Sequence, residues 1–564
     1  MSPPAVQRMA GSPARGMRAG LSYRRFSMKR FRAITVIALL ALLSGCLSAP
    51  APALVGSLDR NVVELLQNGK ARYVDIYSIN DFHATLAEDV TPIEGKNPGM
   101  AKLAQSIMAI RAANPNSAFV SAGDNYQGSA LSILSSGRIV SEFFRLVGMS
   151  ASAVGNHEFD WGDGHFADWS AEGGFPFLAA NLVDKTTGEL PTWAREYAIV
   201  NVGGHRIAFI GLMTIDTLTT VRLDNIENYE ILDAADVARE LVAQLRYTEK
   251  PEAVIVLSHI PAVTDRLNPA RVISSSASNE IERLSLVRGI DAIITGHSHS
   301  SVNGRINGVP VVQAYYNGRS LAKLAFAFNE DNSFRLTTSL VALYTNKATI
   351  TANAEAQSIY DRYMAEYAPT LLQKVAMVDG ELWHENLRNV TPMGLWVCEA
   401  LRERFGTQVA VMNGGGLRKG FAPGQVTVMD FWDLMPFDNT AVTFRVSGAV
   451  LKAIIENGID SAGFVNGQFS GLVVNYNPGR PYGNKILSMT LADGTPVTAD
   501  GIYSVVTNDF VFLNGGDGYT MMPNQDPAAF VETFIPIRDV LIETARAQGT
   551  IVAPAVHVLV SGTN

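Results

Sequence analysis

Residues 290–300 read IDAIITGHSHS: an apolar run that stops at Gly296 and is followed at once by His297 and His299. A short apolar run ended by glycine and polar residues reads as a buried strand running into a loop. The same pattern occurs at four earlier places. VDIYSI (74–79) leads into Asn80-Asp81-Phe82-His83, SAFVSAG (117–123) into Asp124, SASAVG (150–155) into Asn156-His157, and EAVIVLS (252–258) into His259. Five strand candidates thus end in a residue type that binds metal. In an open α/β sheet the carboxyl ends of the strands share one edge, where ligands bind, so residues more than 200 positions apart can converge. The chain has nine histidines, and five of them fall on that expected edge.

The residue types limit the chemistry. Asp81, His83, Asp124, Asn156, His259, His297 and His299 offer seven ligands, too many for one tetrahedral zinc and about right for two ions sharing a bridge. Asp124 is the natural bridge, because a carboxylate has two oxygens. Nitrogen and oxygen ligands without thiolates suit Zn, Mn, Co or Fe(II). Two ions about 3.5–4 Å apart can hold a water, lower its pKa and clamp the attacking and leaving oxygens of an in-line displacement, so the expected target is a phosphate ester or anhydride.

Composition agrees with a folded, multidomain protein. At 564 residues, with 47% hydrophobic and 17% charged content, the chain holds two large domains or three smaller ones. A net charge of −8 argues against a DNA- or RNA-polymer partner, which needs a basic surface, but not against a small phosphorylated ligand. Strand, loop and helix patterns alternate from residue 71 to 350, an amphipathic stretch at 351–375 with one proline, Pro369, reads as a connecting helix, and further strand-like runs fill 376–564. The expected class is α/β throughout, with a second α/β domain that binds substrate.

The N-terminal segment reads as an export signal. AITVIALLALL (33–43) is too short to span a membrane but the right size for a signal-peptide core, and Met28, Lys29, Arg30 and Arg32 supply its basic start. Leu43-Ser44-Gly45-Cys46 resembles a bacterial lipobox, which implies residues 1–45 as the signal, lipidation at Cys46, and a tether over 46–70. The protein is then expected on the periplasmic or outer face of a bacterial membrane, attached only through this anchor. After cleavage Cys398 would be the one other thiol, leaving no intrachain disulfide.

The motifs Asp81-x-His83, Gly123-Asp124, Gly155-Asn156-His157-Glu158, His259 and Gly296-His297-Ser298-His299, in that order, resemble the signature of the calcineurin-like metallophosphoesterases. Gly155-Asn156-His157-Glu158-Phe159-Asp160 further resembles the 5′-nucleotidase and UDP-sugar hydrolase family. The resemblance implies a four-layer first domain of mixed sheets flanked by helices. It implies Asp81, His83, Asp124 and His299 around one ion, Asp124, Asn156, His259 and His297 around the other, and His157 with Asp160 as a catalytic dyad. Ala84 departs from it, since glycine more often follows the first histidine. His165 and His205 have no strand-end setting and read as ordinary surface or loop residues.

The second domain carries three loops similar to the family's substrate site: Asn413-Gly414-Gly415-Gly416-Leu417-Arg418, Pro436-Phe437-Asp438-Asn439 and Asn514-Gly515-Gly516-Asp517. Glycines at 415 and 416 let backbone approach a ligand, Arg418 offers a fork to phosphate or ribose oxygens, Asp517 an acceptor for ribose hydroxyls, and two phenyl rings a sandwich for a base. Phe437 is one ring. The other is Phe510 or Phe512, because the stretch before Gly515 is one residue longer than the family pattern. Arg388 is kept, but His384 stands where some relatives have another arginine. The expected activity is phosphate release from nucleoside 5′-monophosphates, extending to UDP-sugars or other nucleotide anhydrides. Two alternatives stay open on sequence alone: a thiosulfohydrolase of the same superfamily, and a non-catalytic surface lipoprotein that binds a nucleotide or metal. Oligomeric state is not legible.

Overall fold

The first strand, Tyr73–Ile79, shows how the fold is built. Val74 and Ile76 point to one face and Tyr77 and Ile79 to the other, and all four are buried, as expected for a strand covered on both sides. A computed structural model describes residues 66, 68–89, 96–276, 278–384, 390–459, 466–477, 479–522, 527–555 and 559–561, all within one compact unit. Cys46, Arg388 and the export segment lie outside the described residues.

Two sheets stack face to face. The first has seven strands, with Tyr73–Ile79, Ser117–Ser121 and Met149–Ala153 as parallel neighbours at its centre and Ser320–Phe328 antiparallel beside them. The second has six, centred on His205–Met213, Ala253–His259 and Ala292–Ile294, again parallel. Val74, Ile76 and Val120 meet Phe209, Ile255 and Leu257 between the sheets. Helices Gly99–Ala113 and Arg138–Val147 cover the outer face of the first sheet, and Ala234–Thr248 and Glu280–Leu284 that of the second. These are the four expected layers. Each fully buried aliphatic side chain contributes about 1.5–3 kcal/mol to the cohesion of the stack.

One expectation is corrected. The five ligand-bearing strand ends do not share a single sheet edge: three belong to the first sheet and two to the second. Between them the chain leaves the first sheet and begins the second with Tyr197–Val202 and His205–Met213, a strand that ends without a ligand. His205 is corrected too. It is fully buried, stacked on Phe328 at 3.6 Å, with Nε2 2.8 Å from the Ala71 carbonyl.

Helix Ala354–Leu371 is capped by Asn353, whose side chain accepts from the N–H groups of Glu355 and Ala356, and keeps Pro369 in its last turn. It packs on helices Gly99–Ala113 and Arg138–Val147, so it joins the outer layer of the first domain. The second domain is built on a five-stranded sheet that includes Val409–Asn413, Thr440–Ser447 and Ile502–Asn508. Its helix Pro392–Phe405 has Thr391 as cap, proline at its first position and Gly406 in the left-handed conformation at its end. Met429 and Trp432 of the second domain pack on the core of the first, and Asp433 Oδ1 accepts the Ala130 N–H at 3.3 Å.

Candidate active site

The strand ends bring the seven proposed ligands together. Asp81, His83 and His299 form one group and Asp124, His259 and His297 a second. His83 Nε2 and His299 Nε2 lie 2.9 Å apart, and His299 Nε2 is 3.3 Å from Asp81 Oδ1. Asp124 Oδ2 is 3.0 Å from His259 Nε2 and 3.9 Å from His83 Nε2, which puts this carboxylate between the groups. His297 Nδ1 is 2.9 Å from Asn156 Oδ1.

The donor set fits cations. His83 Nδ1 faces the Gln127 carbonyl at 3.2 Å and His259 Nδ1 the Ala122 carbonyl at 2.7 Å, so each ring donates there and turns the lone pair of Nε2 inward. His259 Nε2 is buried and faces Asp124 Oδ2 at 3.0 Å and Asp81 Oδ1 at 4.0 Å. Burial, Arg418 and His299 hold the pKa of His83 well below the usual histidine value, and burial and His259 lower that of His297 to about 3, so both rings are neutral, as ligands must be. Burial opposes charge on His259, but Asp124 and Asp81 outweigh it and raise its pKa to about 10. There a proton balances the carboxylates, a role open to a metal cation. Asp124 is kept ionised against burial by His259 and His157.

Backbone strain accompanies this convergence. Asp81, His83, Asp124, His297 and His299 all have positive φ, between 48° and 71°, a conformation that costs on the order of 1–3 kcal/mol per residue and collects at functional sites. Close approach adds a demand for glycine: a Cβ on Gly155 would sit 2.2 Å from Asp124 Oδ1. Glu158, fully buried, ties the loops together by accepting the N–H groups of Asp124, Asn125 and Gly155 at 2.8, 2.5 and 2.7 Å. Burial and the charge of Asp124 push its pKa up to about 7, against the pull of these donors.

His157 follows Asn156 on a single turn of 3-10 helix, which brings Asp160 back beneath it, Nδ1 to Oδ2 2.8 Å. Burial disfavours the imidazolium, but Asp160 and Asp124 outweigh it and raise the pKa of His157. Asn225 Nδ2 donates to the Asp160 carbonyl at 2.9 Å.

From the second domain, Arg418 reaches the cluster: Nη2 is 3.4 Å from His83 Nε2, and Nη1 3.4 Å from the Gly415 carbonyl. The Phe437 ring lies 5.7 Å from His157 and 5.8 Å from the guanidinium carbon. Asn413 Nδ2 donates to Asp517 Oδ2 at 2.7 Å, so those two side chains stand together beside Gly415 and Gly416. Two sequence expectations change here, and the His384 departure finds its place. Phe512 is fully buried among Phe444 and Phe530, so it is core, and half-buried Phe510, resting on Gly516, is left as the second ring. Asn439 is buried with its amide donated to Asp509 at 2.9 Å, which makes it a brace of the loop. His384 is also a brace, between Thr391 Oγ1 at 2.9 Å and the Gly414 carbonyl at 3.0 Å.

Comparison with known proteins agrees with this geometry. The family model for calcineurin-like phosphoesterases matches residues 75–301, and that for the 5′-nucleotidase C-terminal domain residues 375–524. The chain thus pairs a calcineurin-like phosphoesterase domain with a 5′-nucleotidase C-terminal domain. It is 24% identical to a 5′-nucleotidase of Vibrio cholerae over 92% of this chain and 96% of that one. It is 28% identical to the endonuclease YhcR of Bacillus subtilis over 79% of this chain, but spans only 37% of that relative's length. A crystal structure of a 5′-nucleotidase precursor from Thermus thermophilus shares the fold, with TM-score 0.75 and 24% identity over 87% of this chain and 99% of that one.

Several residues around the site carried no sequence signal of their own. Asn80 donates to Asp81 Oδ2 at 2.5 Å and to the Tyr315 carbonyl at 2.6 Å, fixing a ligand from the next position. Tyr316 stacks on His299 at 4.9 Å, with the Arg319 guanidinium 4.1 Å from the Tyr316 ring. Asn80 and Glu158 adjoin ligands and were open to suspicion on that ground, whereas Tyr316, Asn225 and Arg319 lie far from any motif. Ala84, at φ +43°, takes the left-handed turn that glycine would adopt freely.

Proposed function

We propose that the protein releases phosphate from nucleoside 5′-monophosphates, with UDP-sugars and other nucleotide anhydrides as further substrates. The observation that carries this reading is the meeting of two domains on one cluster: Arg418 of the glycine loop reaches His83, and Phe437 lies beside His157. A phosphate held at the cluster thus has a guanidinium beside it and an aromatic face near by for a base.

Asp81, His83, Asp124 and His299 would hold one divalent ion and Asp124, Asn156, His259 and His297 a second. Bound there, the ions supply an activated water and neutralise charge on the phosphoryl oxygens. The chain's own groups do the rest. Arg418 orients the phosphate and offsets its charge. His157, its Nδ1 held by Asp160, presents a cationic ring to the leaving oxygen and holds the proton that the departing nucleoside takes up. Asn413 and Asp517 meet the ribose hydroxyls, and Phe437 with Phe510 covers the base, each stack contributing about 1–3 kcal/mol with little preference among bases.

Export and lipid attachment at Cys46 are part of the proposal, supported by the basic flank, apolar core and lipobox. No helix among the described residues is long and apolar enough to cross a membrane. The functional test is release of phosphate from AMP, and of UMP and glucose 1-phosphate from UDP-glucose, by metal-supplied protein. Turnover of both, with AMP faster than ribose 5-phosphate, is expected. Turnover of a thiosulfate ester in place of any nucleotide would favour the sulfur branch of the superfamily, and tight nucleotide binding without turnover a binding protein.

A further inference from the structure

Asp509 lies where the two aromatic loops of the second domain meet. Its buried carboxylate accepts Asn439 Nδ2 at 2.9 Å, Thr440 Oγ1 at 3.0 Å and the Phe510 N–H at 2.8 Å. Asn439 and Thr440 come directly after the Phe437 turn. One side chain therefore fixes both the loop that carries one ring and the start of the helix, Asp509–Asn514, that carries the other.

The first domain reaches the same carboxylate. Arg222 Nη1 lies 3.7 Å from Asp509 Oδ2, and Nη2 lies 3.6 Å from Asp224. Arg222 stands between two short helices. Thr217–Thr220 packs on the Gly516–Gly518 turn next to Asp517, and Leu223–Ile226 carries Asn225, which donates to the Asp160 carbonyl. The stretch 216–226 thus touches the catalytic dyad at one end and the base loops at the other. Arg222 and Asp509 themselves are in neither the metal cluster nor the dyad.

We propose that Asp509 is the positioning residue of the nucleobase clamp, and that Arg222, reaching across from the first domain, holds it in place when the domains are together. The ring spacing is then set against the dyad by one ion pair, which couples recognition of the base to alignment of the phosphate. This rests on the nucleotidase reading above. Ordering the Asp509 carboxylate also orders the turn that bears Phe437, since three of its hydrogen bonds end on that turn or on Phe510. Arg222 is the cation placed to compensate its charge from the other domain. The Arg222 side chain is 44% exposed, so salt screens the pair and its effect is modest.

The test compares AMP with ribose 5-phosphate, which keeps sugar and phosphate but has no base, for the full metal-supplied protein and the variants Arg222→Ala, Arg222→Lys and Asp509→Asn. The expected result is a rise of about two- to fivefold in KM for AMP in Arg222→Ala, with a much smaller change for ribose 5-phosphate, and substantial recovery in Arg222→Lys. The wild-type advantage should shrink at high salt. Asp509→Asn should lower the AMP to ribose 5-phosphate selectivity further, in protein shown by its melting temperature to be folded. An unchanged KM for AMP in Arg222→Ala, or equal loss on both substrates, would overturn the proposal while leaving the nucleotidase reading intact. If the wild type hydrolyses ribose 5-phosphate as well as AMP, the nucleotide reading falls, and the clamp proposal with it.

Discussion

Changing Asp160 to Asn keeps the size of the side chain and its place under His157 but removes the charge. That charge is the main support for the imidazolium, because burial works against protonation of His157 and Asp160 leads the groups that outweigh it. The Asp160 carboxylate lies 2.8 Å from Nδ1 in a largely buried setting, so removing its charge lowers the pKa of His157. A positioned acid of this kind contributes about 10²–10⁴-fold to the rate, which sets the scale of the loss. The sign follows directly. A histidine with a raised pKa is charged up to a higher pH, so activity that needs the imidazolium fades as pH rises through that value. In Asp160→Asn the fading begins at lower pH. At neutral pH and above turnover drops by about a hundredfold, within the contribution of a positioned general acid, and it recovers on acidification. The assay is phosphate release from AMP across pH 5–9, with bound metal measured in each sample. An unshifted basic limb, or a uniform loss with no recovery at low pH, would refute this role for the pair.

Other outcomes follow from particular contacts. Gly155→Ala places a methyl 2.2 Å from Asp124 Oδ1 and 2.7 Å from its N–H nitrogen, so metal uptake should fall, with about 1–3 kcal/mol of stability lost, measured by metal analysis and denaturant unfolding. Phe437→Ala should raise KM for AMP by about tenfold or more with little change in melting temperature, whereas Phe512→Ala should cost about 3–5 kcal/mol of stability, which would show its place in the core. Burial lowers the pKa of His205 against the pull of its bond to the Ala71 carbonyl, so the unfolded chain binds the extra proton as pH falls through about 6.5. Between pH 7 and 5 the wild type should therefore lose stability relative to His205→Leu, when both are unfolded by urea at each pH.

The ligands were legible because each one follows an apolar run at a strand end, and a strand buried on both faces has an unbroken run that is hard to miss. What sequence could not supply was the division of those strands between two sheets, since runs of the same kind serve both and the change of sheet occurs in the less regular stretch from 154 to 204. The choice between Phe510 and Phe512 depended on which way a short helix turns, and Asp509–Asn514 turns Phe512 into the core. His205 looked like a loop residue because it follows two glycines, yet it opens a central strand. Asn439 matched a substrate position by type, and His384 stood where some relatives have arginine. Their hydrogen bonds to Asp509, Thr391 and the Gly414 carbonyl are contacts between distant segments, with no trace in local sequence.

The most direct test of the central claim is a titration of metal-stripped protein with Mn or Zn, following bound ions per chain and phosphate release from AMP in the same samples. The account predicts that two ions bind per chain and that release appears as the pair of sites fills, with Asp124→Asn weakening both sites together. Full activity with one ion per chain, or two ions bound without any phosphate released, would contradict it.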